Sequence, residues 1–417
     1  MIVTLVRLSI AGAAALAALA TISWSNTGSA VSAERSDVTV PAGFRVEIAA
    51  RVPGARELAV LPDGDLIVGT HDADVYIVPD AEAATPAQAS VYATAPEGAA
   101  AGVAFSQRTS EIYIATEHAV FATRYAPGRR KATELRKIAS VRSGLVAPHS
   151  DGDVHTTTSV AVSERSNTLY VAVGSSCNAC VETDATRASI FSMKLPDGPL
   201  VKRATRIRNA IALAVDSAGD ALWAGDAGQD DLPFGHPYEF LDDVSLHQGV
   251  ADYGWPQCEE NRRAYVAGAD CAKTVAPLVE LPAYSTIIGV VFYPEQSRGR
   301  YAFPSAYRGT LFAAAHGSWH RAENGGYAAM PQVVSVAMRD GRPVTAVDWQ
   351  NPSAQWRTFV GGFQGSSEMH RNGRPTGLAI GMEGSLFVAD DSNGVIYRVR
   401  PLQKQKPVAL CDGPCGS

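Results

Sequence analysis

One motif, repeated six times, limits what this chain can fold into: a short apolar run, a turn, then a Leu/Ile-aromatic-Val/Ala run of strand length. It occurs at 57–69, 102–115, 159–172, 212–225, 289–314 and 377–389. Turn signals such as Pro62-Asp63-Gly64, Gly219-Asp220 and Glu383-Gly384 join the two runs, the chemistry of an antiparallel hairpin. A third apolar run often follows, as at 74–78, 189–193 and 395–399. Sheets of three or four strands repeated around an axis protect their edges by radial repetition, so the pattern predicts an all-β six-bladed β-propeller. The alternating segment 44–48 is placed to complete the last blade. Long inter-strand loops are expected at 143–158, 226–287 and 315–330. Residues 38–401 form one ring-closed domain, and 402–417 are a tail. With 37 Gly, 24 Pro and no sustained 3.6-residue periodicity, a helical fold is excluded.

The segment 1–33 reads as an export signal: Arg7, an apolar run from Leu8 to Ile22, then small residues ending at Ala33. The run is short for a transmembrane span, although an uncleaved anchor is the alternative. Cleavage after Ala33 leaves 384 residues, about 64 per repeat against roughly 40–45 for a minimal blade, which puts the surplus in loops. The mature protein is then expected to be periplasmic or secreted, without stable membrane insertion. Six cysteines fall into three local pairs, Cys177/Cys180, Cys258/Cys271 and Cys411/Cys415, and an oxidising compartment favours their pairing. Metal or redox chemistry at 177–180 is the competing reading, and Val181 stands where c-type haem attachment needs His. A net charge of −6, with no basic block beyond 129–131, leaves no footprint for nucleic acid.

Propellers carry function on the loops at one end of their channel. His155 lies four residues before one repeat, and Arg208-Asn209 hold the matching place before the next. A base beside a fixed cation and an amide suits polarising an anionic or carbonyl group. The segment 226–231 offers carboxylates and free carbonyls for a hard cation such as calcium. His316, Arg321 and Arg374 add imidazole and cationic groups in the fifth and sixth units. Each has a plainer reading, a solvated loop histidine or an arginine bridging blades.

The ordered set Val173-Gly-Ser-Ser-Cys-Asn178, Arg208-Asn-Ala, Asp252-Tyr-Gly-Trp-Pro256, His316-Gly-Ser-Trp and Gly373-Arg-Pro resembles the glucose/sorbosone dehydrogenase family, the soluble PQQ-dependent sugar dehydrogenases. The resemblance spans about residues 41–400. It implies a six-bladed propeller holding pyrroloquinoline quinone (PQQ) and Ca2+ at the channel mouth and oxidising a sugar by hydride transfer. It further implies His155 as general base, with Arg208 and Asn209 on the quinone. Gly228 and Gln229 would be the calcium carbonyls, and Arg374 would lie near the cofactor carboxylates. The family's lysine in the fifth unit is absent, so His316 or Arg321 substitutes for it. Ile207 and 210–212 also depart from the glucose-oxidising pattern, toward the sorbosone-like branch. Without a CxxCH the electrons must pass to a separate acceptor, a cytochrome or quinone. Two alternatives stand beside this: a Ca2+-dependent lactonase-type hydrolase, which calls for carboxylates converging from several blades, and a non-catalytic propeller binding glycan or protein.

Overall fold

In the computed structural model the described residues are 37–85, 87–141, 155–216, 218–233, 235–318, 329–365 and 371–402. The export segment, Arg321, the Cys411/Cys415 pair and nearly all of the tail lie outside them. Each of the six repeats supplies the first two strands of a four-stranded antiparallel sheet. The innermost strands are Ala55–Val60, Gly102–Ser106, Thr158–Ser163, Ala212–Asp216, Ile287–Phe292 and Pro375–Ile380. Their hairpin partners include Thr168–Val173, Leu311–Ala315 and Leu386–Asp390. The third runs at 74–78, 189–193 and 395–399 are third strands, as expected.

The ring closes as the sequence predicts. Phe44–Arg51 pairs antiparallel with Val395–Pro401, from Phe44 opposite Pro401 to Arg51 opposite Val395. Phe44 locks the closing strand onto blade 5 with ring-centroid distances of 4.7 Å to Phe303 and 5.2 Å to Phe359. Edge-on pairs of this kind add about 0.5–1.5 kcal/mol beyond the area they bury. Between blades 6 and 1 the Glu82 carboxylate accepts from the Ser385 and Glu383 amides at 2.9 and 2.6 Å.

Tight contact of the inner strands depends on the first residue of the repeat. A Cβ on Gly102, Gly289 or Gly377 would lie 2.3, 2.1 and 2.1 Å from the carbonyl oxygens of Thr158, Thr376 and Arg56 in the neighbouring blade. Blade 1 alone has a large residue at this place, Glu57. Its Oε2 accepts the Val103 amide of blade 2 at 3.1 Å, while Oε1 is buried without a partner. Burial pushes this carboxyl up to about 8.

One expectation needs correction. The segment 226–287 is not a single loop, because it contains the third and fourth strands of blade 4, Glu239–Asp243 and Val279–Leu281. Neither has the aromatic pattern of the repeat, and the excursion between them disguises the fourth strand. That excursion runs up the side of the ring. Ala251–Asp252 adds in parallel to the edge of blade 3, and Cys258–Glu259 pairs with Arg263–Ala264 in a hairpin. Disulfides join Cys177 to Cys180 and Cys258 to Cys271, as the local pairing predicts. No helix among the described residues is long and apolar enough to cross a membrane.

Candidate active site

Two clusters form at the ends of the inner strands. The first, on blades 3 and 4, is organised by Gly174-Ser175, which leave strand Thr168–Val173. A Cβ on Gly174 would fall 2.5 Å from Asn209 Oδ1 and 2.7 Å from His155 Cβ, so only glycine lets these two residues flank it. The His155 ring is set by Nδ1, 3.0 Å from the Ser175 carbonyl and 2.9 Å from Ser175 Oγ. The carbonyl can only accept and the hydroxyl already donates to the Cys177 carbonyl at 2.7 Å. Nδ1 therefore carries the hydrogen and Nε2 the lone pair. Burial, then the charges of Arg208 and Arg187, hold this imidazole well below the usual histidine range, so it is neutral at pH 7.

Arg208 is buried and engages four of its five N–H groups within the protein. Nε and Nη2 donate to the Asn178 carbonyl and Oδ1, both at 2.9 Å. Nη1 donates to the Ala227 carbonyl at 2.9 Å, and Nη2 also meets Asp230 Oδ2 at 3.3 Å. It thereby ties the disulfide loop of blade 3 to the 226–231 loop of blade 4, which agrees with the plainer, blade-bridging reading of this arginine. Asn178 also receives the Trp255 Nε1 and Asp230 amides. Asn209 differs, because its Oδ1 is buried and has no partner.

In the loop itself the Ala227 and Asp230 carbonyls are occupied by Arg208 and Asn178 Nδ2. No hydrogen bond to the Gly228 or Gln229 carbonyl is found among the described residues. Two buried carboxyl groups stand beside them. Asp226 accepts the Asn209 amide at 2.6 Å, and Glu259 accepts the Gln229 amide at 3.2 Å, with its Oε1 unpartnered. Burial pushes Asp226 up to about 7 and Glu259 up to about 8. Free carbonyls next to two buried carboxyls, one with an unpartnered oxygen, are a hard-cation donor set. All these acids come from blade 4 and its excursion, not from several blades as the lactonase alternative requires.

The second cluster lies on blades 5, 6 and 1. His316, just past strand Leu311–Ala315, has Nε2 3.1 Å from Asp391 Oδ1. Arg56 Nη1 and His71 Nε2 reach Asp391 Oδ2, each at 3.0 Å. Burial opposes ionisation of Asp391, but His316, His71 and Arg56 outweigh it and hold the carboxyl well below its usual range. Burial brings His316 down to about 4 against the pull of Asp391. At neutral pH His316 is thus uncharged, donates Nε2–H to the carboxylate and keeps a lone pair on Nδ1. Arg374 braces the same loop, with Nε and Nη2 donating to the His316 and Gly317 carbonyls at 3.1 and 2.7 Å. Burial, with Arg371 nearby, lowers its guanidinium only to about 10, so it stays charged.

Seven of the eight residues singled out in the sequence therefore fall in two clusters: His155, Arg208, Asn209, Gly228 and Gln229 in one, His316 and Arg374 in the other. Sequence reasoning missed Arg56, His71, Asp391 and Glu259. A signal for two of them exists. The second residue beyond each repeat run is His71, Glu117, Gly174, Ala227, His316 and Asp391 in successive blades, one position that supplies side chains or space to both clusters.

The fold defined here is that of the PQQ-dependent sugar dehydrogenases. The holo form of the PQQ domain of pyranose dehydrogenase from Coprinopsis cinerea superposes with a TM-score of 0.71 at 18% identity, covering 88% of this chain and 98% of that one. The calcium structure of the family AA12 carbohydrate-active enzyme of Trichoderma reesei gives 0.70 at 18% identity, with 89% and 100% covered. The PQQ-bound aldose sugar dehydrogenase of Streptomyces coelicolor gives 0.55 at 16%, with 87% and 99% covered. An uncharacterized protein of Borreliella burgdorferi is 23% identical over 373 residues, 87% of this chain and 91% of that protein. More particularly, residues 257–401 match the family model described as TrAA12-like. The resemblance read from the motifs thus holds.

Proposed function

We propose that this protein is an exported PQQ-dependent sugar dehydrogenase. It oxidises a CH–OH group of an aldose, sorbosone-like or other, with Ca2+ assistance, and passes the electrons to a separate acceptor. The observation that supports this most is the fixed tautomer of His155. A neutral imidazole with its lone pair on Nε2, held by Ser175 beside buried Arg208 and Asn209, is arranged to take a proton from a hydroxyl.

The residues fit the group. Two buried guanidiniums, Arg56 and Arg208, and the half-buried Arg374 suit an acidic planar cofactor, and the orphan Asn209 Oδ1 together with the space at Gly174 offers a cradle. Arg374 and His316 would hold it from one side and Asn209 from the other, while the Gly228 and Gln229 carbonyls would take Ca2+, with Asp226 and Glu259 beside them. When bound, PQQ would supply the hydride acceptor for the oxidation. The chain's own work is binding, orientation and proton handling. His155 takes the hydroxyl proton at Nε2, and Arg208 keeps the two loops in register. The disulfides and the apolar N-terminal run support an extracytoplasmic setting.

The test is a titration of metal-stripped mature protein with PQQ and Ca2+, followed by dye reduction over a panel of aldoses and ketoses. Saturable dye reduction that depends on both calcium and sugar is the expected result. Absence of quinone binding would discard this reading and return the propeller to the hydrolase or binding-module alternatives.

A further inference from the structure

On the outside of the ring, where blade 4 meets blade 5, a cavity of about 430 Å3 is lined among others by His236, Tyr238, Glu260, Asn261, Arg263 and Trp349. Its volume lies in the range of roughly 300–1,000 Å3 usual for small-ligand sites. Gln355 draws the Trp349 loop onto the outer strand of blade 4: Oε1 accepts the Glu280 amide at 2.9 Å and Nε2 donates to the Leu278 carbonyl at 2.8 Å.

One wall is a pre-set polar array. Arg263 Nη1 lies 2.8 Å from His236 Nε2, which must therefore accept, so Nδ1 donates to Glu260 Oε1 at 3.1 Å. The Tyr265 hydroxyl and the Tyr238 amide also donate to Glu260. The Arg263 guanidinium sits 5.5 Å over the Tyr265 ring. Within this wall the Asn261 Oδ1 is buried and has no partner. The opposite feature is apolar and open: Trp349 is 38% exposed, the one aromatic among the large hydrophobic side chains left so among the described residues.

We propose that this cavity is a second saccharide-binding site, separate from the channel, that takes a neutral mono- or disaccharide unit. An exposed indole face offers a platform for the C–H face of a pyranose, and fixed donors and acceptors beside it match ring hydroxyls. The Glu260 carboxylate is occupied by His236, Tyr238 and Tyr265, Arg263 gives Nη1–H to His236, and Arg262 Nε donates to the Thr274 carbonyl at 2.7 Å. The orphan Asn261 oxygen then asks for a hydroxyl donor, not for an ion. The ligand class accords with the proposed function, while the argument rests on the cavity's residues alone.

The site also backs onto the candidate calcium loop. Glu259 and Glu260 are adjacent in a hairpin pinned by the Cys258–Cys271 disulfide. Glu259 meets the Gln229 amide, and Glu260 faces the cavity.

The experiment uses mature protein free of metal and cofactor, titrated calorimetrically with glucose, cellobiose and maltose in turn. The comparison set is His155→Ala, Trp349→Ala and Trp349→Phe, each checked for an unchanged melting temperature. At least one sugar should bind wild type and His155→Ala equally, about tenfold more weakly to Trp349→Ala, and nearly normally to Trp349→Phe. Unchanged affinity in Trp349→Ala, or no binding of any of the three sugars to wild type, overturns the proposal. Because no quinone is present, this outcome is independent of whether PQQ-dependent oxidation is found.

Discussion

The two sides of the channel mouth hold their charges in opposite ways. On blades 3 and 4 the central group is a cation, Arg208, surrounded mainly by backbone carbonyls and an amide, with Asp230 at the longer distance of 3.3 Å. On blades 5, 6 and 1 the centre is an anion, Asp391, surrounded by Arg56, His71 and His316. The first arrangement spends an arginine on holding loops, so its removal should cost stability first. The second spends a carboxylate on orienting two imidazoles and an arginine, so its removal should disturb charge before it disturbs fold.

Arg208→Ala is the strongest test of that contrast. It strips a buried charge from acceptors on two loops and should destabilise the protein by about 3–5 kcal/mol, read by urea unfolding. A loss below 1 kcal/mol would mean that the loops hold themselves. His155→Ala should leave the melting temperature nearly unchanged and lower turnover by on the order of a hundredfold, or about 2.7 kcal/mol. Unchanged sugar oxidation would remove His155 from the chemistry. Asp391→Asn keeps the shape but not the charge and should cost about 2 kcal/mol, the scale of a hydrogen bond to a charged partner. Its signature is a His316 that takes up protons at still lower pH, visible by NMR. Arg374→Ala should weaken PQQ binding about tenfold with little effect on the chemical step, roughly 1.4 kcal/mol.

A further expected outcome is a slope with pH. His316 titrates near 4 in the folded protein and near its ordinary 6.5 when unfolded, so between these values the unfolded chain binds more protons. Stability is therefore lost as pH falls from 6.5 toward 4, at no more than about 1.4 kcal/mol per pH unit. His316→Gln should flatten that limb of a melting curve measured against pH, and an unaltered slope would place the titration elsewhere.

The ring was legible because period-2 runs and turn residues recur six times, and because segment 44–48 had no other partner to complete a blade. Blade 4 was misread at 226–287, where Glu239–Asp243 carries two aspartates on a buried strand and so breaks the apolar signal. His155 and Arg208 were legible because both stand four residues ahead of a repeat. Arg56, His71 and Asp391 were not, since nothing local marks three polar residues that meet only when the ring closes. Arg56 and Asp391 are 335 residues apart. Aligning the repeats at the residue after the second strand recovers His71 and Asp391, so the information was periodic and not local.

The strand Phe44–Arg51 has a consequence for how this chain is made. Its partner ends at Pro401, and Glu47 pairs with Arg398 across 351 residues at 3.0 Å. At about 5–20 residues per second of synthesis, the first strand waits roughly 20–70 s for the last to emerge. During that delay it is an orphan edge able to pair with any strand it meets. Arg45, Glu47 and Arg51 interrupt its apolar alternation, and such charges disfavour stacking with a neighbouring nascent copy. They guard against clumping before the circle exists.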